Sequence, residues 1–254
     1  MRRYRNEPIY TGAITVGRML FGTLRVKLRV AGRENLPLDG GAVIAVTHFG
    51  YLEFAIVEWV TWLANRRRIR FMAKKGAFKG WPLGALMRNM KHIPVDRSAG
   101  SHAYDEAVVA LQGGELVGVF PEGTVSRSFE VQPLKAGAVR LAQAAGVPLI
   151  PVAVWGAHRI LAKGAKGKAR DRLGVPVYVK IGVPVEIAPD TDIHDASDAL
   201  RGTLQQLTDE LQDIYPVDGA GTWWQPARRG GTAPSVEDVA HEQRGSRRPS
   251  DSDD

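Results

Sequence analysis

A single α/β domain is predicted by three features of the 254-residue sequence. Short runs rich in valine and isoleucine recur along it, helical patterns alternate with them, and polar clusters stand where several of the runs end. Alternation of this kind favours a mainly parallel or mixed sheet with helices on both faces.

Along the chain, residues 9–24 come first, with Ile9, Ala13, Val16, Leu20 and Leu24 at helical spacing among arginines. That pattern is an amphipathic helix, packed on the core or lying on a membrane surface. Residues 24–30, 42–47, 70–73, 93–95, 116–120, 148–155 and 177–187 read as strands. Residues 52–65, 101–112 and 136–145 read as helices. A longer helix over 194–215 carries Leu200, Leu204, Leu207, Leu211 and Ile214 on one face. The domain is therefore expected over 34–225, preceded by the amphipathic helix and a first strand within 1–33. From Pro226 onward almost nothing is fit for burial, so 226–254 reads as a disordered tail.

Charge narrows the function. The net charge is +7, yet residues 1–33 alone hold eight basic residues against one acidic, and 66–97 hold ten against one. The rest is acidic on balance, so the two blocks point to an anionic ligand or surface. Cysteine is absent, which excludes disulfides, thiol nucleophiles and cysteine-ligated zinc. The longest charge-free run, 141–157, is broken by Gly146, Pro148 and Pro151, so no membrane span is expected. The N-terminus lacks a signal-peptide pattern, and a cytoplasmic protein is expected.

Three strand ends carry polar clusters. His48 follows the strand over 42–47, and Glu53 lies five residues on. On one regular helix the two would stand about 140° apart. His48 must therefore sit in the turn before the helix for Glu53 to fold back onto its ring, a turn that Gly50 eases. Asp96 and Arg97 end the strand over 93–95, and Phe120-Pro-Glu-Gly-Thr124 ends that over 116–120. Each cluster alone also reads as structure: a core histidine, a surface ion pair, a capped turn.

In this order and spacing the clusters resemble the glycerophospholipid acyltransferases, among them the 1-acyl-sn-glycerol-3-phosphate acyltransferases. Their first block, a histidine and an aspartate separated by four residues, is matched by His48 and Glu53. The second is matched by Ile93-Pro-Val-Asp96-Arg97, and the third, Phe-Pro-Glu-Gly-Thr, stands intact at 120–124. The proline-bearing strand over 147–156 matches the fourth. Met72-Ala-Lys74 and Leu134-Lys135-Ala-Gly137 resemble connecting features, and the likeness covers about 42–187. Two positions depart from the pattern: Glu53 replaces an aspartate, and Val125 replaces an arginine whose role passes to Arg127.

The resemblance implies transfer of a fatty acyl group from acyl-CoA or acyl carrier protein to a lysophospholipid hydroxyl, and the basic, amphipathic N-terminal block is expected to bring the protein to an anionic membrane surface. His48 is then the general base and Glu53 its orienting carboxylate. Lys74, Arg97, Glu122, Gly123, Thr124 and Arg127 hold the acceptor, and neither metal nor cofactor is implied. Glycerol 3-phosphate and other lysolipids stand as alternative acceptors. A single-stranded nucleic-acid binder, suggested by Phe71, Phe78 and Trp81 among the cations of 66–97, leaves the strand-end clusters without a role.

Overall fold

The computed structural model describes residues 7–96 and 102–245. Seven strands form one sheet: β1 Lys27–Ala31, β2 Ala42–Val46, β3 Ile69–Lys74, β4 Ile93–Val95, β5 Leu116–Val119, β6 Leu149–Trp155 and β7 Pro176–Ile181. Their order is β1-β7-β6-β2-β5-β3-β4, and every neighbouring pair is parallel except β6 with β7. The helices are α1 Pro8–Thr23, α2 Glu53–Asn65, α3 Leu83–Asn89, α4 His102–Gln112, α5 Gly137–Ala145, α6 Ile193–Asp213 and α7 Val236–Gly245.

All five residues of β2 are buried, as a central parallel strand covered on both faces requires. Alternation divides them: Val43 and Ala45 face the core beneath α4, α5 and α6, while Ala42, Ile44 and Val46 face the core beneath α1 and α2. β2, β5, β3 and β4 run parallel side by side, so their C-terminal ends open at one edge of the sheet. In open α/β sheets, ligands bind at that edge.

The structure departs from these expectations in several places. The run over 177–187 is not one strand: β7 stops at Ile181, and after Pro184, which has no N–H for a ladder, only Val185 bridges to Leu149. α3, a helix of only seven residues inside the basic block, is too short to leave a periodic pattern in the sequence. Most consequentially, 226–254 is not a free tail throughout. Ala233 and Val239 are buried, and Arg228 pairs with Glu130 at 2.7 Å while Arg229 pairs with Asp213 at 2.7 Å. Arginines make this segment look solvated in sequence, but here they dock it onto acids of α6 and a neighbouring loop. Residues 246–254 lie outside the described residues.

α1 packs through a different face from the stripe read in the sequence. Tyr10, Ile14 and Phe21 are buried, while Ile9, Val16 and Leu20 are exposed. The Tyr10 hydroxyl donates to the Ile69 carbonyl at 3.2 Å and accepts the Ile69 N–H at 3.1 Å. Arg70 adds a two-pronged pair with Glu7 at 2.6 and 2.9 Å. The helix is thus fastened to β3 and still presents a second apolar face outward.

Candidate active site

Thr47 ends the buried run of β2, and its Oγ1 accepts the Val154 N–H at 3.1 Å, fixing where the chain leaves the sheet. His48 follows in the loop, and Glu53 is the first residue of α2, as the angular argument required. Between them Gly50 is tightly enclosed: a Cβ there would lie 2.6 Å from the Leu161 carbonyl, 3.0 Å from His158 Cα and 3.2 Å from Glu53 Oε1. Only glycine lets the loop pass so close beneath the carboxylate.

The His48 ring stacks on Phe120 with centroids 4.0 Å apart, and Phe120 stacks in turn on Phe71 at 5.4 Å. Its Nδ1 is buried and unpaired, the Glu53 carboxylate is buried against the backbone amides of residues 49–53, and no hydrogen bond joins the two side chains. Burial pushes His48 down to about 4 and Glu53 up to about 8. At neutral pH the imidazole is therefore the unprotonated form that a general base needs.

His48 opens onto a cavity of about 770 Å³ at the C-terminal edge of the sheet. Phe54, Phe71, Met72, Leu83 and Met87 give it apolar walls, and Lys74 and Lys135 bring the two cations of its lining. A pocket of this size, apolar with a few convergent polar groups, suits a small ligand with a long hydrophobic part.

The remaining site candidates divide. Lys74 and Gly123 line the cavity with His48. Glu122 does not: it is buried, one carboxylate oxygen accepts the His48 N–H at 2.9 Å, and the other accepts the Gln132 N–H at 3.1 Å. This corrects its expected role in holding the acceptor, because the backbone has taken both oxygens and Glu122 positions the histidine instead. Thr124 is exposed and stands outside the cavity lining, as does the half-buried Arg127. Arg97 lies outside the described residues.

Lys135 was not among the expected site residues. Its N–H donates to the Pro121 carbonyl at 2.8 Å, which ties it to the Phe-Pro-Glu-Gly turn. Gly123 has φ +68°, and a Cβ there would lie 3.0 Å from Lys135 Nζ. Glycine thus provides both the left-handed turn and the room for the ammonium above it. The signal was the lysine of Leu134-Lys-Ala-Gly137, directly ahead of α5.

A family model described as Acyltransferase matches residues 27–155, half of the chain. The chain belongs to the acyltransferase family. It is 38% identical over 157 residues to the 1-acyl-sn-glycerol-3-phosphate acyltransferase of Bacillus subtilis (strain 168), covering 61% of this acyltransferase and 76% of that relative. A chloroplastic 1-acyl-sn-glycerol-3-phosphate acyltransferase of Brassica napus, BAT2, is 30% identical over 145 residues; the match covers 56% of this chain and 41% of the plant protein. In fold it resembles the 1-acyl-sn-glycerophosphate acyltransferase PlsC of Thermotoga maritima, with TM-score 0.67, 23% identity, and 85% and 86% of the two chains covered.

Proposed function

We propose that this acyltransferase moves a fatty acyl group from an acyl thioester to the free hydroxyl of 1-acyl-sn-glycerol 3-phosphate, giving phosphatidic acid. The observation that carries the reading is a neutral, half-buried His48 at the head of an apolar cavity bearing Lys74 and Lys135. The acyl chain would lie along the Phe54, Phe71 and Met87 walls, and the cations would meet the acceptor's phosphate. With Nδ1 buried, Nε2 is the ring nitrogen open to the cavity. It takes the acceptor proton as the hydroxyl oxygen attacks the thioester carbonyl. The carbon–sulfur bond then breaks, and the leaving thiolate recovers the proton from His48. Glu53, protonated at neutral pH and not bonded to the ring in this structure, stabilises the imidazolium only once it ionises and turns onto Nδ1.

The donor is acyl-CoA or acyl carrier protein, and the lipid acceptor is met at the cytoplasmic face of the cell membrane. No helix among the described residues is long and apolar enough to span a bilayer. α1 leaves Val16, Met19 and Leu20 outward, and Trp81, 87% exposed, stands just before α3. With Arg25 and Lys27 exposed just after α1 and Lys79 exposed ahead of α3, this surface suits reversible docking on anionic lipid.

The test is release of free thiol from acyl-CoA, and separately from acyl carrier protein, with and without lysophosphatidic acid on anionic vesicles. Release that requires the acceptor and yields phosphatidic acid by mass spectrometry is the expected result. Equal release without acceptor would make the protein a thioesterase and overturn the reading.

A further inference from the structure

Beyond the region shared with the family, the sequence places Trp223 and Trp224 next to a basic pair, Arg228 and Arg229. The segment folds back on itself: Gly221 N–H donates to the Gly230 carbonyl at 2.8 Å, and Thr232 N–H to the Thr222 carbonyl at 2.8 Å. This closed loop sits against residues 122–132, the loop that follows β5. Trp223 meets the Phe129 ring edge-on at 6.0 Å, and Arg228 Nε pairs with Glu130 at 2.7 Å. The Trp224 carbonyl accepts from His158 Nε2 at 3.1 Å, and the His158 ring stacks on Phe129 at 4.5 Å.

Phe129 is held at φ +56°, a conformation a bulky residue keeps only when its surroundings enforce it. Those surroundings are Trp223 and His158, so the segment contributes to the shape of the loop. The loop in turn grips His48 at both backbone groups. Ser126 N–H donates to the His48 carbonyl at 2.7 Å, and Glu122 accepts the His48 N–H. Ser126 Oγ also donates to the Glu130 carbonyl at 2.7 Å. Direct contacts therefore run from Arg228 through Glu130 and Ser126 to the base. A second line reaches the same turn from behind, because His158 Cα lies under Gly50.

We propose that residues 219–239 are a strap that holds the 122–132 loop, and through it the backbone of His48, in the reacting position, with Arg228 and Trp224 as its positioning residues. The inference rests on His48 being the general base. A strap of this kind acts on turnover without touching substrate, because small displacements of a base can cost up to about 10²-fold in rate.

Arg228→Ala tests it in the full chain, with Arg229→Ala as the control. Both arginines fasten the segment to α6, Arg228 through Asp209 and Arg229 through Asp213 and Asp209, but among the described contacts only Arg228 also pairs with Glu130 of the 122–132 loop. Well below the melting temperature, Arg228→Ala should lower kcat about tenfold with both KM values unchanged. Arg228→Lys should recover most of the loss, and Arg229→Ala should lower the melting temperature at wild-type kcat. Hydrogen exchange read without substrate should rise over residues 47–53 and 122–132 in Arg228→Ala only. Wild-type exchange and kcat in Arg228→Ala would overturn the strap, as would equal kcat losses in both alanine variants. Should the wild-type protein transfer no acyl group, the proposed reaction falls, and exchange at 47–53 still decides the strap.

Discussion

The Glu122 carboxylate binds two backbone amides at once, that of His48 at 2.9 Å and that of Gln132 at 3.1 Å. The glutamate of the Phe-Pro-Glu-Gly-Thr motif thus joins the ends of β2 and β5, and its side chain sets where the histidine begins. Glu122→Gln keeps shape but turns an NH₂ group toward one of the two donors. Leaving a buried donor unpaired costs about 1–3 kcal/mol, so stability should fall by that order. Displacing His48 should lower kcat by about 10- to 10²-fold with little change in KM. Steady-state kinetics beside a thermal melt checks both; wild-type kcat would confine Glu122 to stability.

The pH profile follows from burial. His48 is held down to about 4 and Glu53 up to about 8. The base must be unprotonated, so kcat/KM should not fall near the ordinary histidine value of about 6.5 on acidification, but only toward pH 4. If the ionised Glu53 stabilises the imidazolium, kcat/KM should climb again through pH 8. Glu53→Gln should remove that climb, and His48→Ala should cost about 10²–10⁴ in rate across the range. An acid limb at 6.5 would mean that the ring is solvated during turnover.

The strand ends were legible because chemistry and period coincide there. β2 and β5 are apolar runs stopped by His48 and by Phe-Pro-Glu-Gly-Thr, so both motifs had to share one sheet edge. Direction was not legible at Glu122: a glutamate in a turn reads as ligand or cap alike until its two amide donors are seen. Lys135 was hidden for the opposite reason, since one lysine ahead of a helix is ordinary and only Gly123 beneath it reveals the fit. The segment after Pro226 misled because arginine counts against burial in composition, yet Arg229 docks by pairing with Asp213, 16 positions earlier, and Arg228 with Glu130, 98 positions earlier.

Stability should carry the mark of a second buried acid. Glu58 is buried in α2 with Oε1 3.4 Å from His92 Nε2, and burial pushes it up to about 8. Above its unfolded value of about 4.5 the unfolded chain releases this proton while the folded chain keeps it, so stability falls as pH rises toward 8. Glu58→Gln does not titrate and preserves the acceptor facing His92. Its melting temperature should match wild type near pH 5 and exceed it at pH 8. Each pKa unit is about 1.4 kcal/mol and each kcal/mol about 2–4 °C for a chain of this size. Paired melts at the two pH values decide it, and an equal difference at both would remove ionisation as the cause.

Lys135 separates the two substrates. Its ammonium lies over Gly123 at the head of the cavity, close to where α5 begins with Gly137. The acceptor and a CoA donor both carry phosphate, so the charge alone does not say which one it serves. Position does: Gly123 follows the glutamate that grips His48, and the group nearest the base must be the hydroxyl that loses its proton. The phosphate of a glycerol acceptor lies only a few bonds from that hydroxyl, whereas the phosphates of CoA are remote from the thioester. Lys135→Ala should therefore raise the KM for lysophosphatidic acid by about 10- to 10²-fold, the size of a lost charge-assisted contact of about 1.5–3 kcal/mol, and leave the KM for acyl-CoA near wild type. Lys135→Arg should restore part of the acceptor affinity, since the charge is kept while the planar fork differs from a compact ammonium. A raised KM for acyl-CoA with the acceptor unaffected would assign Lys135 to the donor and leave the acceptor's phosphate to Lys74.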